Sequence, residues 1–496
     1  MKFFIFSFCL ALPFGAFAQA NFSYKEQYRP RFHFSPAINW CNDPNGLVYN
    51  NGTYHLFYQH NPFANVWGHM TWAHAVSKDL VHWKHLPIAI PEENGIMIFS
   101  GTCVVDKNNT SGFGENGKVP MVAVYTGHIE NVNQSQHIAY SLDNGITWTK
   151  YNKNPVLDLG KKDFRDPKIF WYQPQNYWVM ALMFPVEHFV QFYSSKNLKE
   201  WNHLSDYGPA GDTSGVWECP DLTQVPIEGM PGKKKWVLQT SQNGSMQYFV
   251  GEFNGTKFTN ENPMNKIVRP DYGPDYYAAI AYNQLPAAHL PTAIGWLNNW
   301  NYANDIPTKP WKGAMSLPRN ISVKKINNEW VLLQEPVAAL RSLRTKTWEL
   351  KNETINETKL LPVKSIQFEM EIVIEPSVQS TTGVRIAKSG NNFFEIGYDA
   401  AKQLLYIDRS KSGARSFNKN FENLSRFETP VILHNRQLQL HIFFDHSIVE
   451  VFANNGEAVL TAQIFPDESY NAIELFSTGG RSQLVKSILW KMKSIW

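Results

Sequence analysis

The sequence predicts an all-β chain, a propeller of four-stranded blades followed by a β-sandwich, and three observations carry that expectation. From Asn21 to about Gln334, short aromatic-rich strands are broken by Gly, Pro, Asn and Asp, with almost no sustained helical periodicity. Within that stretch a motif recurs, as Ser77-Lys78-Asp79-Leu80-Val81-His82-Trp83, Ser141-Leu142-Asp143-Asn144-Gly145-Ile146-Thr147-Trp148 and Ser194-Ser195-Lys196-Asn197-Leu198-Lys199-Glu200-Trp201. Its tryptophans lie 65 and 53 residues apart, and residues 251–258 hold a degenerate fourth copy. Repeats of this length built from short strands are propeller blades, and about 310 residues at that spacing make five or six of them. Around Gln334-Glu335-Pro336 the pattern changes to simple alternating strands.

In chain order the first element is a leader. Residues 1–20 carry one charge, Lys2, then an apolar run from Phe3 to Phe17 and small residues at Ala16, Ala18 and Ala20. The run is too short for a membrane span and ends in cleavage-type spacing, so it reads as a secretory signal cut after Ala18 or Ala20. A secreted or periplasmic protein is expected, with no later membrane span. The 496 residues suffice for two or three domains, and 43% hydrophobic against 18% charged residues is an ordinary globular balance. A net charge of +3, or +2 without the leader, is too near neutral for a nucleic-acid or acidic-membrane partner. Cys9 leaves with the leader; Cys41, Cys103 and Cys219 are odd in number and widely spaced, which argues against a disulfide framework and against zinc.

The propeller, residues 21–336, opens on Asn39-Trp40-Cys41-Asn42-Asp43-Pro44-Asn45-Gly46. Asp43 is expected just before a Pro-Asn-Gly turn that opens a hairpin, Leu47-Val48-Tyr49 into Asn50-Asn51-Gly52 into residues 53–59. These residue types favour turns for local reasons and need no function to explain them. Asp43 has counterparts, however. Ser100 in Phe99-Ser100-Gly101, Asp166 in Phe164-Arg165-Asp166-Pro167 and Glu218 in Trp217-Glu218-Cys219-Pro220 follow at intervals of 57, 66 and 52 residues. That is the blade period, so each stands at the same place in its own blade, where inner strands converge on a central channel. Three carboxyl groups gathered there are costly to bury and mark a site with chemistry to perform.

Residues 337–346 read as a short helical or irregular connection. Residues 347–496 read as the sandwich, with strands in residues 383–386, 394–398 and 404–407, then hairpins through 438–444, the Asp445-His446 turn, 447–452 and Asn454-Asn455-Gly456. No catalytic cluster is visible in it. Bracing the propeller, binding polymer and forming a homo-oligomer all stand open as its role.

These motifs resemble those of glycoside hydrolase family 32, the β-fructofuranosidases that include invertases, inulinases and levanases. The resemblance rests on Asn42-Asp43-Pro44-Asn45-Gly46, Phe99-Ser100-Gly101, Arg165-Asp166-Pro167, Glu218-Cys219-Pro220 and Ser447-Ile448-Val449-Glu450-Val451-Phe452, in the family's order over nearly the whole mature chain. It implies a five-bladed propeller with a sandwich and the release, with retention and without a cofactor, of terminal β-fructosyl units from sucrose, inulin or levan. Retention uses two carboxyl groups about 5 to 5.5 Å apart. By motif position the resemblance makes Asp43 the nucleophile and Glu218 the acid/base, which must begin the cycle protonated; Trp217 and the neighbouring carboxylates would favour that state. It makes Asp166 a transition-state stabiliser kept ionised by Arg165.

The same resemblance gives sugar-holding positions at Asn42, Gln59, Trp67, Phe99, Ser100, Arg165, Tyr277 and Trp300. Neutral amides and hydroxyls suit a neutral sugar, and indoles suit its faces. Asp275, two residues before Tyr277, is a further channel candidate. Cys41 departs from the family, where Met is frequent, and suggests a looser wall behind the nucleophile; Cys219 is implied as a buried thiol tuning Glu218. A metal reading of His55, His60, His69, His74, His82 and His85 lacks paired ligand spacing with carboxylates. The alternatives are a fructosyltransferase or an endo-acting fructanase on the same scaffold, and, in another class, a non-catalytic fructan-binding protein. A pure binder has no need of all three carboxyl positions together with Arg165.

Overall fold

A computed structural model of the chain describes residues 23–496, and the expected leader lies outside the described residues. Five sheets surround one axis. Blade I holds β1 (Asn39–Asn50), β2 (Thr53–Asn61), β3 (Thr71–Ser77) and β4 (Trp83–Ile90). Blade II holds β5 (Met97–Val105), β6 (Met121–Ile129), β7 (Asn133–Ser141) and β8 (Thr149–Lys150), and blade III β9 (Arg165–Tyr172), β10 (Tyr177–Phe184), β11 (Phe189–Ser195) and β12 (Asn202–Tyr207). Blade IV holds β13 (Trp217–Pro226), β14 (Lys234–Gln242), β15 (Ser245–Phe253) and β16 (Phe258–Asn260). Blade V begins with β17 (Tyr277–Ala281) and β18 (Thr292–Trp296), gives up β19 (Trp311–Lys312) to another blade, and ends with β20 (Arg319–Ile326) and β21 (Glu329–Pro336).

Strands pair in chain order within each blade, and β1, β5, β9, β13 and β17 touch one another in a cycle around the axis. Five blades therefore close the ring. The closure is made by β19, which pairs in parallel with β1 (Asn39↔Trp311, Trp40↔Lys312), and by Asn283, whose backbone bonds to Leu47 and Tyr49 of β1. Alternation along each strand sends apolar residues to both faces, and they meet between blades. Val104, Val122, Ile138, Ile169, Trp178 and Met180, for example, form one core between blades II and III.

The recurring sequence motif is the turn into the outermost strand. Asp79 Oδ1 accepts from the amides of Val81 and His82, Asp143 Oδ1 from Ile146 and Thr147, and Asn197 Oδ1 from Lys199 and Glu200. Asn254 does the same for Thr256 and Lys257, so the degenerate fourth copy is real. In each case the side chain satisfies turn amides that the sheet cannot; the following Trp83 or Phe258 starts the outer strand, and Trp148 or Trp201 stands immediately before it.

A 3-10 turn, Ala338–Leu343, leads to β22 (Arg344–Lys364), β23 (Gln367–Glu375), β24 (Thr381–Ser389), β25 (Asn392–Asp399) and β26 (Leu404–Lys411). The chain continues through β27 (Arg426–Pro430), β28 (Leu438–Asp445), β29 (Ile448–Ala453), β30 (Ala458–Gln463) and β31 (Ala472–Met492). The order is β27-β26-β25-β24-β31-β23-β28-β29-β30, with β22 along β31. The 21-residue β31 pairs with β24 through its first part and with β23 through its last, so it passes from one layer of the sandwich to the other.

Sandwich and propeller share a core and a buried ionic cluster. Phe443, Phe452, Val459 and Met492 pack with Phe34, Leu56, Ile294 and Leu317. Arg319 of blade V, fully buried, meets Glu450 at 2.6 Å and Asp271 at 3.0 Å, while His33 lies 2.8 Å from Asp445 and 3.1 Å from Glu450. Asp275 also belongs to this interface: it accepts from Tyr302 at 2.6 Å and pairs with Arg409 of the sandwich at 3.0 Å. The expectation that it reaches the channel is thereby corrected. Arg319→Met leaves two buried carboxylates short of a partner and is expected to cost about 3–5 kcal/mol, read as a lower urea midpoint. An unchanged midpoint would remove the cluster from the account of the interface.

Candidate active site

Each inner strand carries a bulge where it reaches the axis. Pairing registers slip between Cys41 and Pro44 in β1, Ile98 and Gly101 in β5, Glu218 and Asp221 in β13, and Tyr277 and Ile280 in β17; in β9 the slip lies opposite Ala181 and Met183 of β10, between Arg165 and Lys168. A bulge bends the strand and turns side chains out of the sheet's alternation. Asp166 (φ +65°), Cys219 (φ +48°) and Ala278 (φ +51°) occupy the left-handed region, a conformation that non-glycine residues hold at a cost. The Pro44-Asn45-Gly46 segment departs from expectation here: it is not a hairpin turn but part of β1, and the turn comes at Asn50–Thr53. Gly46 is required, because at φ +53° a Cβ would stand 2.7 Å from the Phe57 ring.

The bulges bring the three predicted carboxylates into one pocket of about 380 Å³. Asp43 Oδ2 accepts from Ser100 Oγ at 2.8 Å, and its Oδ1, buried, has no hydrogen-bond partner among the described residues. Asp166 Oδ2 accepts from the Cys219 amide at 2.9 Å. Glu218 Oε2 accepts from Tyr277 Oη at 2.6 Å and its Oε1 from Arg165 Nη2 at 3.3 Å. The Cys219 thiol lies between the two aspartates, 3.6 Å from Asp43 and 3.7 Å from Asp166. Burial beside three carboxylates pushes that thiol's pKa well up, so it serves as a weak donor and not as a nucleophile.

Arg165 is the cation of the group. It reaches Glu218, lies 3.8 Å from Asp166, and is braced by Asp163 at 2.7 Å and Gln134 at 3.2 Å. Burial and the charge of Glu218 push Asp43 up to about 6, against the hydrogen bonds from Ser100, Asn42 and Cys219. Burial raises Asp166 to about 7; Arg165 opposes the shift, and Glu218 and Asp43 add to it.

Asn42, Gln59, Trp67, Phe99, Ser100, Arg165 and Trp300 all line the pocket, as do His128, Gln134 and Asp163, which sequence reasoning missed. Gln59 is buried with its Nε2 unpaired. Phe99 stacks on His128 with centroids 4.3 Å apart, Trp67 stands edge-on to Phe99 at the half-open rim, and Trp300 stacks on Trp40. Tyr277 is absent from the pocket wall, and its hydroxyl donates to Glu218. Trp217 points elsewhere: its indole donates to Asp212 O and packs against Phe249 inside the blade III–IV core, so it does not shield Glu218. Cys41 packs in the blade I core with Phe34 and Tyr58 and lines no part of the pocket, which removes the looser wall.

The six early histidines are scattered. His55 and His74 bond to each other, His60 bonds to Trp40 O, His69 and His82 pair with Glu92 and Asp79, and His85 stacks on Trp496. Among the described residues the group spaced to share a cation is Glu369, Glu371 and His441 in the sandwich, where the Arg344 guanidinium already sits.

Residues 33–336 match the glycosyl hydrolases family 32 N-terminal domain and residues 337–491 the family 32 C-terminal domain. The chain belongs to glycoside hydrolase family 32. Among its family relatives, a levanase of Bacillus subtilis (strain 168) is 44% identical, over 99% of this chain and 74% of that protein. The crystal structure of an exo-inulinase from Aspergillus awamori superposes with a TM-score of 0.89 at 38% identity, covering 96% of this chain and all of that one. A fructofuranosidase from Schwanniomyces occidentalis, solved with fructose, gives a TM-score of 0.84 at 32% identity over 94% and 98% of the two chains. This family 32 chain is a glycosidase, and no helix among its described residues is long and apolar enough to cross a membrane.

The raised pKa of Asp166 has a stability consequence. Its carboxyl binds its proton more tightly in the folded state than at the ordinary 3.8, so the folding penalty is absent near pH 4 and grows as pH rises to about 7. Asp166→Asn is expected to raise Tm by a few degrees at pH 8 and leave it unchanged at pH 4, as calorimetry at both values would show.

Proposed function

We propose that this protein is an exo-acting, retaining β-fructofuranosidase that removes terminal fructosyl units from fructans or sucrose outside the cytoplasm. The observation that carries the reading is the meeting of Asp43, Asp166 and Glu218 in one pocket with Arg165, which Asp163 braces, the rest of the wall being neutral polar and aromatic groups. The names of the relatives, levanase and exo-inulinase, point the same way. Export rests on the leader-like residues 1–20.

In this mechanism Asp43 attacks the anomeric carbon through a carboxylate oxygen while the bond to the leaving oxygen breaks. Glu218 gives that oxygen its proton. Glu218, now ionised, takes a proton from water, whose oxygen attacks the same carbon, frees fructose and restores Asp43. Asp166 hydrogen-bonds fructose hydroxyls, most strongly while positive charge gathers on the ring, and Arg165 favours its ionised form. Asn42, Gln59 and Ser100 orient the sugar without introducing charge, and Trp67 and Trp300 present ring faces to it.

Incubation of the mature protein with sucrose, inulin and levan tests the reading. Free fructose from the first time point is the expected result; shorter oligosaccharides first would replace it with endo-cleavage, and longer ones with transfer. Asp43→Asn and Glu218→Gln are each expected to lower kcat by several orders of magnitude in folded protein, and unchanged turnover in either would remove the role given to that residue.

Asp43 must be ionised to attack, so kcat/KM is expected to fall as pH drops through about 6. Ser100→Ala removes a hydrogen bond that favours the carboxylate, and the acidic limb should move to higher pH. A limb that stays in place would show that a group other than Asp43 sets it.

A further inference from the structure

A buried ion pair lies directly below the carboxylates. Lys168 Nζ meets Asp221 Oδ1 at 2.6 Å and donates to Ala281 O at 2.7 Å, with the two side chains 4% and 0% exposed. Asp221 Oδ2 is satisfied by Thr223 Oγ1 at 2.7 Å. Lys168 stands two residues past Asp166 in β9, Asp221 three past Glu218 in β13, and Ala281 four past Tyr277 in β17. One ammonium therefore ties together the inner strands of blades III, IV and V. Those strands carry Arg165 and Asp166, Glu218 and Cys219, and Tyr277.

The tie lies just beyond the bulges, and that placement matters. Between Arg165 and Lys168, Glu218 and Asp221, and Tyr277 and Ile280 the pairing ladder is interrupted, so the blade's own hydrogen bonds do not fix how far each side chain reaches toward the axis. Three of the residues involved also hold left-handed backbone, which persists only where its surroundings enforce it. A cavity of about 10 Å³, the size of one water, lies between Lys168 and Asp166 and is walled also by Asn45, Ser100, Cys219 and Ile280. Lys168 is bonded to Asp221 and Ala281 and forms no part of the wall of the carboxylate pocket.

We infer that Lys168 and Asp221 are positioning residues that set the spacing of Asp166 and Glu218 for glycosyl transfer by clamping three bulged strands across the propeller axis. The inference rests on the proposed function, which gives those two residues their roles. Displacement of a reacting group by about 1 Å costs up to about 100-fold in rate, so loss of the clamp reads out in turnover more than in binding.

Lys168→Met alone strands a buried carboxylate and can simply fail to fold. The double variant Lys168→Met with Asp221→Asn removes both charges at nearly constant volume and leaves neither unpaired. In the full chain it is expected to melt within a few degrees of the parent, with kcat on sucrose or levan lower by about 10- to 100-fold and KM within about threefold. A folded double variant with parental kcat would overturn the inference, as would a loss confined to KM or to Tm, since a purely structural pair lowers stability alone. The underlying reading fails separately, by absence of fructose release from the parent itself.

Discussion

Two buried aspartates and a half-buried glutamate gathered beside a single guanidinium are the constraint to which the rest of this molecule answers. Asp43, Asp166 and Glu218 repel one another at short range, and burial deprives the two aspartates of water. Arg165 is the cation that reaches Asp166 and Glu218, and its placement is over-determined: Asp163 and Gln134 hold the guanidinium, while Gln134 Oε1 also accepts from the Phe164 amide and Thr126 Oγ1 from the Asp166 amide. Blade II thus fixes the backbone of blade III where charge is densest. The expense of this arrangement is local, which is why Asp166→Asn should stabilise the fold at neutral pH while impairing its chemistry.

A propeller suits the problem because inner strands anchored in separate blade cores converge on one axis, where Asp43, Ser100, Asp166 and Glu218 come from four different blades. Regular alternation would place only one side chain per strand at the right depth; the bulges add the adjustment. What bulges gain in reach they lose in ladder hydrogen bonds, and the shortfall is made up by side chains crossing between blades. Asn45 accepts from the Gly101 amide, Asn283 Nδ2 reaches Thr102, Cys103 and Ile169, and Lys168 joins blades III, IV and V. The sandwich serves the same end from outside, since the Arg319–Glu450 cluster and the shared core hold blade V against β29.

Much of this was legible in sequence because the blade repeat and the chemistry share one period. Asp43, Ser100, Asp166 and Glu218 could be aligned by interval, and the Ser77, Ser141 and Ser195 turns marked the blades independently. What stayed hidden lacked such a marker. His128, Gln134 and Asp163 come from the end of β6, the start of β7 and the loop before β9, where neither spacing nor residue type sets them apart. Asp275 was misjudged by nearness to Tyr277, although its partner Arg409 lies far along the chain in the sandwich. Trp217 was misjudged by nearness to Glu218, although successive strand residues face opposite ways. The Pro44-Asn45-Gly46 segment has the composition of a turn, and only the packing of Phe57 against Gly46 and the bond from Asn45 to blade II make it a bulge.

The division of labour inside the pocket follows from the neutrality of the sugar. Fructosyl groups carry no charge, so in the proposed mechanism the charges of Asp43, Asp166 and Glu218 serve the reaction. In the same proposed mechanism recognition falls to Asn42, Gln59 and Ser100 and to the aromatic rim, groups that can be buried against a sugar without counter-charges. In that mechanism the buried, unpaired Nε2 of Gln59 takes a sugar hydroxyl oxygen as its partner, and the unpaired Oδ1 of Asp43 takes a carbon that grows electron-poor as its bond to the leaving oxygen stretches. A sugar seated there excludes water and strengthens the Arg165 contacts to Asp166 and Glu218 at the moment charge develops. The charges that make the empty site costly thereby become most effective when it is filled, and their cost in the free protein is the same electrostatics seen before substrate arrives.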